Sequence, residues 1–154
     1  MRKKHSTKWK LIVLLIVIIF VFIFAVRFLF KSPESQAKLS VSRFYTYEQE
    51  GNFSDSWSMF HPFMKQKFPK ASFIQDRAHV FIGHFGADTF TFKVGDAKEV
   101  SGWKAAKGEA PFKSAYKFVV TQNYKGKYGK FSFNQDVYVV QIKEDWLILW
   151  DYTQ

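Results

Sequence analysis

The chain contains no cysteine. Disulfide staples, thiolate metal sites, a cysteine nucleophile and a lipid-modified cysteine are therefore excluded, and the fold must be held by packing. Acidic side chains are missing from residues 1–30, which nevertheless hold Arg2, Lys3, Lys4, Lys8, Lys10 and Arg27. Of the 23 Lys and Arg in the chain, six lie there, leaving 17 against 13 Asp and Glu, a net +4 out of the formal +10. The remaining residues are only mildly basic, which suits an anionic surface or polymer better than it argues for nucleic acid. There is no internal repeat, no low-complexity linker, no strand–loop–helix phosphate loop and no nucleophile elbow.

Against these absences stands one long apolar run, LIVLLIVIIFVFIFAV at residues 11–26, followed by Arg27-Phe28-Leu29-Phe30. Twenty helical residues rise about 30 Å, the thickness of a hydrocarbon core. Residues 11–30 are expected to be a transmembrane helix, with Trp9 at one interface and Arg27 snorkelling at the other. A cleaved signal peptide would have a shorter apolar region and small residues after it, whereas Arg27 to Lys31 are bulky and charged. The basic tail of Arg2, Lys3, Lys4, Lys8 and Lys10 then predicts a cytoplasmic N-terminus. The expected organisation is a cytoplasmic tail at 1–10, a single-pass anchor at 11–30 and an extracytoplasmic domain at 31–154. The corresponding expected localisation is the cell membrane, with the lipid bilayer as a partner.

Residues 31–154 are enough for one core and hardly enough for two. Ser32-Pro33-Glu34 is a helix-start signal. Ala37, Val41, Phe44, Tyr45 and Glu48 recur at helical spacing, and Gly51 suits the end, so a helix is expected over 33–49. A short helix over 52–60 and a turn opened by Pro62 follow. After residue 72 the period shifts towards two, with a strand expected around Ala78, Val80 and Ile82. Further strands are expected at 89–94, 99–103, 113–123, 131–142 and 146–152, with a loop at 104–111. Helices followed by an antiparallel meander make an α+β fold.

Three stretches carry a resemblance: the helix with Phe44-Tyr45-Thr46-Tyr47, the segment SDSWSMFHPFMK, and the terminal hairpin FSFNQDVYVVQIKEDWLILWDY. Together they resemble the NTF2-like (SnoaL/ketosteroid isomerase-like) superfamily over about residues 33–152. The resemblance implies a cone-shaped domain with a bent antiparallel sheet wrapped over helices, often enclosing a pocket. It also implies kinship with membrane-anchored envelope modules of Gram-positive bacteria, though the fold does not choose a function.

The enzyme clue is Asp76-Arg77-His79-His84-Asp88. Inside an apolar pocket, Asp76, His79 or His61 is the candidate proton acceptor. The plainer account, and the preferred one, pairs Arg77 with an acid and leaves the histidines half exposed. Tyr45, Trp57, Arg77, His84 and Trp150 are the candidate pocket residues. The histidines have no tight ligand spacing, so no metal and no cofactor is expected. Lysines interleaved with aromatics over 113–130 suit single-stranded nucleic acid, but an extracytoplasmic position argues against it. The expected function is a noncatalytic, membrane-anchored binding module of the bacterial envelope, meeting an envelope protein or a second copy of itself. The alternatives are an isomerase- or dehydratase-like enzyme or small-molecule binder using the cone pocket, and an accessory subunit of a secretion or conjugation apparatus.

Overall fold

A computed structural model describes residues 4–29, 32–79, 89–127 and 129–151; within the first helix, side chains are described for residues 9–22. The chain divides into two units, Met1–Pro33 and Glu34–Gln154.

The first unit contains helix α1, Lys4–Leu29. Its described side chains, residues 9–22, are exposed. Among the described residues no helix is long and apolar enough to cross a membrane. The expected anchor at 11–30 is corrected on that finding. The single-pass topology, the cell-membrane localisation and the bilayer as partner rested on it and fall with it. Arg2, Lys3, Lys4 and Lys8, expected to set the topology, lie outside the described side chains, and Lys10 is exposed.

The second unit is an α+β fold of helices on an antiparallel sheet, as the element order predicts. Helix α2, Pro33–Gln49, buries Ala37, Val41, Phe44, Tyr45 and Glu48 along one stripe. It ends where Gly51 takes φ 73°. There the Gly51 amide donates to Glu48 O at 3.2 Å and the Asn52 amide to Tyr47 O at 2.8 Å, the double bond of a Schellman cap. Three short helices follow: α3, Phe53–Ser58; α4, Pro62–Lys67; and α5, Lys70–Ala78. Helix α5 occupies residues where the sequence suggests the start of a strand. Phe73, Ile74 and Arg77 at helical spacing turn towards the protein interior, and that packing outweighs the alternation read from Ala78 onward. Val80 and Ile82 lie outside the described residues.

The sheet has β1, Phe90–Val94; β2, Lys98–Val100; β3, Ala115–Gly126; β4, Gly129–Ile142; and β5, Asp145–Trp150. The order is β1-β3-β4-β5, with β2 pairing β3 as well. Between β1 and β2 the chain passes so near β3 that a Cβ on Gly95 would meet Val119 O at 3.0 Å. Strands β3 and β4 pair from Tyr116↔Val139 to Gly126↔Gly129. That register puts Phe118, Val120, Gln122 and Tyr124 on one face with Val137, Gln135, Phe133 and Phe131. Of the opposite face, Tyr138, Val140 and Leu149 are buried. The 101–114 loop contributes cover there, with Trp103 stacked on Tyr138 at 3.8 Å between centroids.

Phe60 is the hub between helices and sheet. Its ring lies 5.1 Å from Phe44, 4.9 Å from Trp150 and 5.2 Å from Phe73. The backbone there joins the sheet: His61 N donates to Ile148 O at 3.0 Å and Ile148 N to Met59 O at 3.0 Å. This bridge occupies part of the outer edge of β5, which would otherwise invite pairing with another chain. Phe60→Ala should cost about 3–5 kcal/mol, the usual toll for emptying a fully buried aromatic site. Urea unfolding checks it, and a loss below about 1 kcal/mol would mean the hub collapses without a cavity.

Candidate functional site

The inner face carries polar groups at two levels. At the deeper level, Glu48 of α2, buried to 2 % exposure, meets Arg77 of α5, whose Nε donates to Glu48 Oε2 at 2.6 Å and whose terminal nitrogen pairs with the same oxygen. Ser56 of α3 donates its hydroxyl to Glu48 Oε1. Both carboxylate oxygens are thus engaged, and three helices are tied at one point. A carboxylate held this way is a structural anchor; its lone pairs are not offered to a substrate proton.

Towards the sheet the Tyr45 hydroxyl donates to Gln135 Oε1 at 2.7 Å. Gln122 Nε2 donates to the same oxygen at 3.2 Å, and the Tyr124 hydroxyl donates to Gln122 Oε1 at 2.8 Å. Burial pushes both tyrosine hydroxyls well above the ordinary 10.0; Arg77 pulls them down and Glu48 pushes them up, more weakly than burial. Both therefore remain protonated donors. The Trp150 Nε1–H is buried with no acceptor of good geometry among the described residues, and it lies close enough to the Tyr45 hydroxyl to favour its ionised form weakly.

The upper level is the end of the β3–β4 hairpin. Burial along β4 falls away towards Gly129, so its own inner-face residues there are partly exposed. Phe131 is 37 % and Phe133 40 % exposed. Tyr124 lies parallel to both, at 5.1 Å and 7° from Phe131 and 5.5 Å and 10° from Phe133. Phe90 stacks on Tyr124 at 5.1 Å. A cleft of about 480 Å³ opens beside this stack, lined by Phe90, Tyr124, Phe131, Ser132, Lys125 and Lys130 among others. Its charged lining among the described residues is wholly cationic. A second groove, about 570 Å³, mixes Arg43 and Lys65 with Glu144 and Asp145 and has no single sign.

Of the residues expected to form a pocket, Tyr45, Arg77 and Trp150 belong to the inner face or its polar cluster. Trp57 lies apart: its Nε1 donates to Phe68 O at 2.7 Å, with the Lys65 and Lys70 ammonium groups 5.2 and 5.4 Å from its ring centre. His84, like Asp88, lies outside the described residues. Asp76 is exposed on α5, and His79 is exposed at its C-cap. Residue 77 sits on a helix, and the acid that Arg77 pairs with is Glu48. His61 is the N-cap of α4, its Nδ1 accepting the Phe63 amide at 3.1 Å, with Phe112 edge-on at 5.3 Å. The described residues hold no group of three or more His, Asp or Glu able to bind a metal.

Glu48 was read from the sequence only as part of the helical stripe, and Gln122 and Gln135 were not singled out, although each carried a signal. Glu48 falls on the apolar stripe of α2, and the two glutamines fall on the inward phase of their strands. A polar residue on a buried phase calls for a partner.

No family model matches the chain, and no curated protein matches it either. The expected NTF2-like membership is corrected accordingly: the helix-on-sheet architecture stands, but the superfamily assignment has no support. The envelope module, the isomerase-like enzyme or cone-pocket binder and the secretion subunit were built on that membership and on the anchor, and they are withdrawn with them.

Two outcomes are expected. Arg77→Met should destabilise the fold by about 3–5 kcal/mol, because it leaves Glu48 buried and unpaired, and adding Glu48→Gln should recover part of that loss. Denaturant unfolding of the single and double variants decides it; strict additivity would show that the pair is not coupled. The second concerns His61, whose imidazole is held below the ordinary 6.5, by burial first and then by Lys65, with Glu109 opposing. The neutral ring accepts the Phe63 amide, so folding stability should be complete above 6.5 and decline as pH falls through the lowered folded value. His61→Asn, which caps without titrating, should flatten that part of the pH–stability curve; an unchanged slope would assign it to other groups.

Proposed function

We propose that residues 34–154 form a binding module whose ligand is anionic and enters the cleft at the end of the β3–β4 hairpin. The observation that carries this is the lining itself: Lys125 and Lys130, paired across the strands, share it with Thr91, Asn123 and Ser132 and with no carboxylate among the described lining residues. Two ammonium groups side by side attract negative charge. The cleft volume falls in the range of about 300–1,000 Å³ usual for small-ligand sites. The buried network below gives the site stiffness: Tyr124 is held by its hydroxyl at Gln122 and by rings on both sides. A preset wall loses little entropy on binding.

Inorganic tripolyphosphate is the simplest probe. Calorimetric titration into the full-length protein should show binding that weakens as salt rises and is lost in Lys125→Glu/Lys130→Glu. Equal affinity of the double variant and the unaltered protein would defeat the assignment, as would absence of binding at low salt.

A further inference from the structure

We infer that the anionic ligand is a chain of linked phosphates, an inorganic polyphosphate, laid along the outward face of β1, β3 and β4 from the Lys125–Lys130 pair to Lys93; this rests on the anionic-ligand reading above. The strand phase is the independent observation. These three strands carry five charged side chains, Lys93, Lys117, Lys125, Lys130 and Asp136. The pairing puts all five on the phase opposite Phe118, Val120 and Tyr124, because successive side chains of a strand point to opposite faces. Asp136, the one carboxylate of the five, is taken by Lys117. Lys93, Lys125 and Lys130 are exposed and have no carboxylate partner among the described residues. Four lysines less one aspartate leave this face with an uncompensated positive charge of 3.

The cleft is one end of that face. Thr91, Asn123 and Ser132, which line it with the two lysines, lie opposite one another across the strands and share the lysines' phase. The next row on this phase holds Lys93, Thr121 and Asn134. There the Thr121 hydroxyl donates to Asn134 Oδ1 at 2.7 Å, which leaves the Asn134 amide nitrogen to donate elsewhere. Along β3 the row of Lys93 and the row of Lys125 and Lys130 are four residues apart, about 13 Å. A single phosphate meets one row. A linear polyanion meets ammonium groups at both ends of that span and hydroxyl and amide donors between them. Once one end is held, the other binds from a high local concentration. A nucleic-acid strand fits this face less well. Its described aromatic ring, Tyr138, is buried beneath Trp103, so it offers bases no stacking platform.

The test compares long-chain polyphosphate with tripolyphosphate by calorimetry on the full-length protein over a range of salt. The long chain should bind at least about tenfold more tightly per site, with a salt slope steeper by about one for the added lysine. Lys93→Gln should remove most of that advantage and of the extra slope, and leave tripolyphosphate unchanged. Lys70→Gln, which deletes the same charge from α5 in the helical layer, should leave both probes unchanged. Thermal unfolding of the variants confirms that the fold is retained. If chain length brings no gain, or Lys93→Gln weakens the long chain no more than Lys70→Gln does, the extended polyanion is overturned while the anionic reading stands. If an oligothymidylate of equal charge binds more tightly than polyphosphate, the ligand is a nucleic-acid strand and the polyphosphate assignment is overturned. If neither phosphate probe binds, both readings fall.

Discussion

The register of the β3–β4 ladder is the constraint from which most of the domain follows. With Val120 opposite Gln135 and Tyr124 opposite Phe131, one phase of both strands faces the helices and the other faces away. A slip of one residue would exchange the two phases, burying Lys117, Thr121 and Lys125 and expelling Phe118 and Val120. The same pairing decides that the hairpin's inner face ends in aromatic rings, and it sets the two lysines side by side at the turn.

The helices cover only part of that inner face. Where they cover it, the solution is close packing around Phe60 together with one buried ion pair. Glu48 is tolerable in the core because Arg77 and Ser56 satisfy both of its oxygens; without them the desolvation of a carboxylate would exceed the gain from burying its neighbours. Towards the turn the same strand phase continues as the partly exposed Phe131 and Phe133. The deep cluster and the ring stack are thus consecutive stretches of one pattern, joined through Tyr124, whose ring belongs to the stack and whose hydroxyl belongs to the buried network.

Helix α2 was legible because its stripe, its Pro33 start and its Gly51 stop agree locally. The long strands were legible within a few residues because β-branched and aromatic residues alternate there. Helix α5 was not, since a nine-residue segment has a weak intrinsic preference and takes its conformation from what it packs on. The site was harder to read. Charged residues drew attention to Asp76 and His79, which the fold leaves exposed, whereas Tyr124 and Phe131 share one strand phase yet are 2 % and 37 % exposed, a difference that strand periodicity does not encode.

The sequence by itself determined the α+β order, the apolar phase of each long element, the helix cap at Gly51 and the absence of any cysteine chemistry. These are local or periodic properties, fixed by propensity and spacing. Tertiary structure alone decided that Glu48 finds Arg77 29 residues away and that aromatic rings from three strands stack on one another. Each of these joins residues distant in the chain, and such pairings are set by packing of whole elements, which no local pattern specifies.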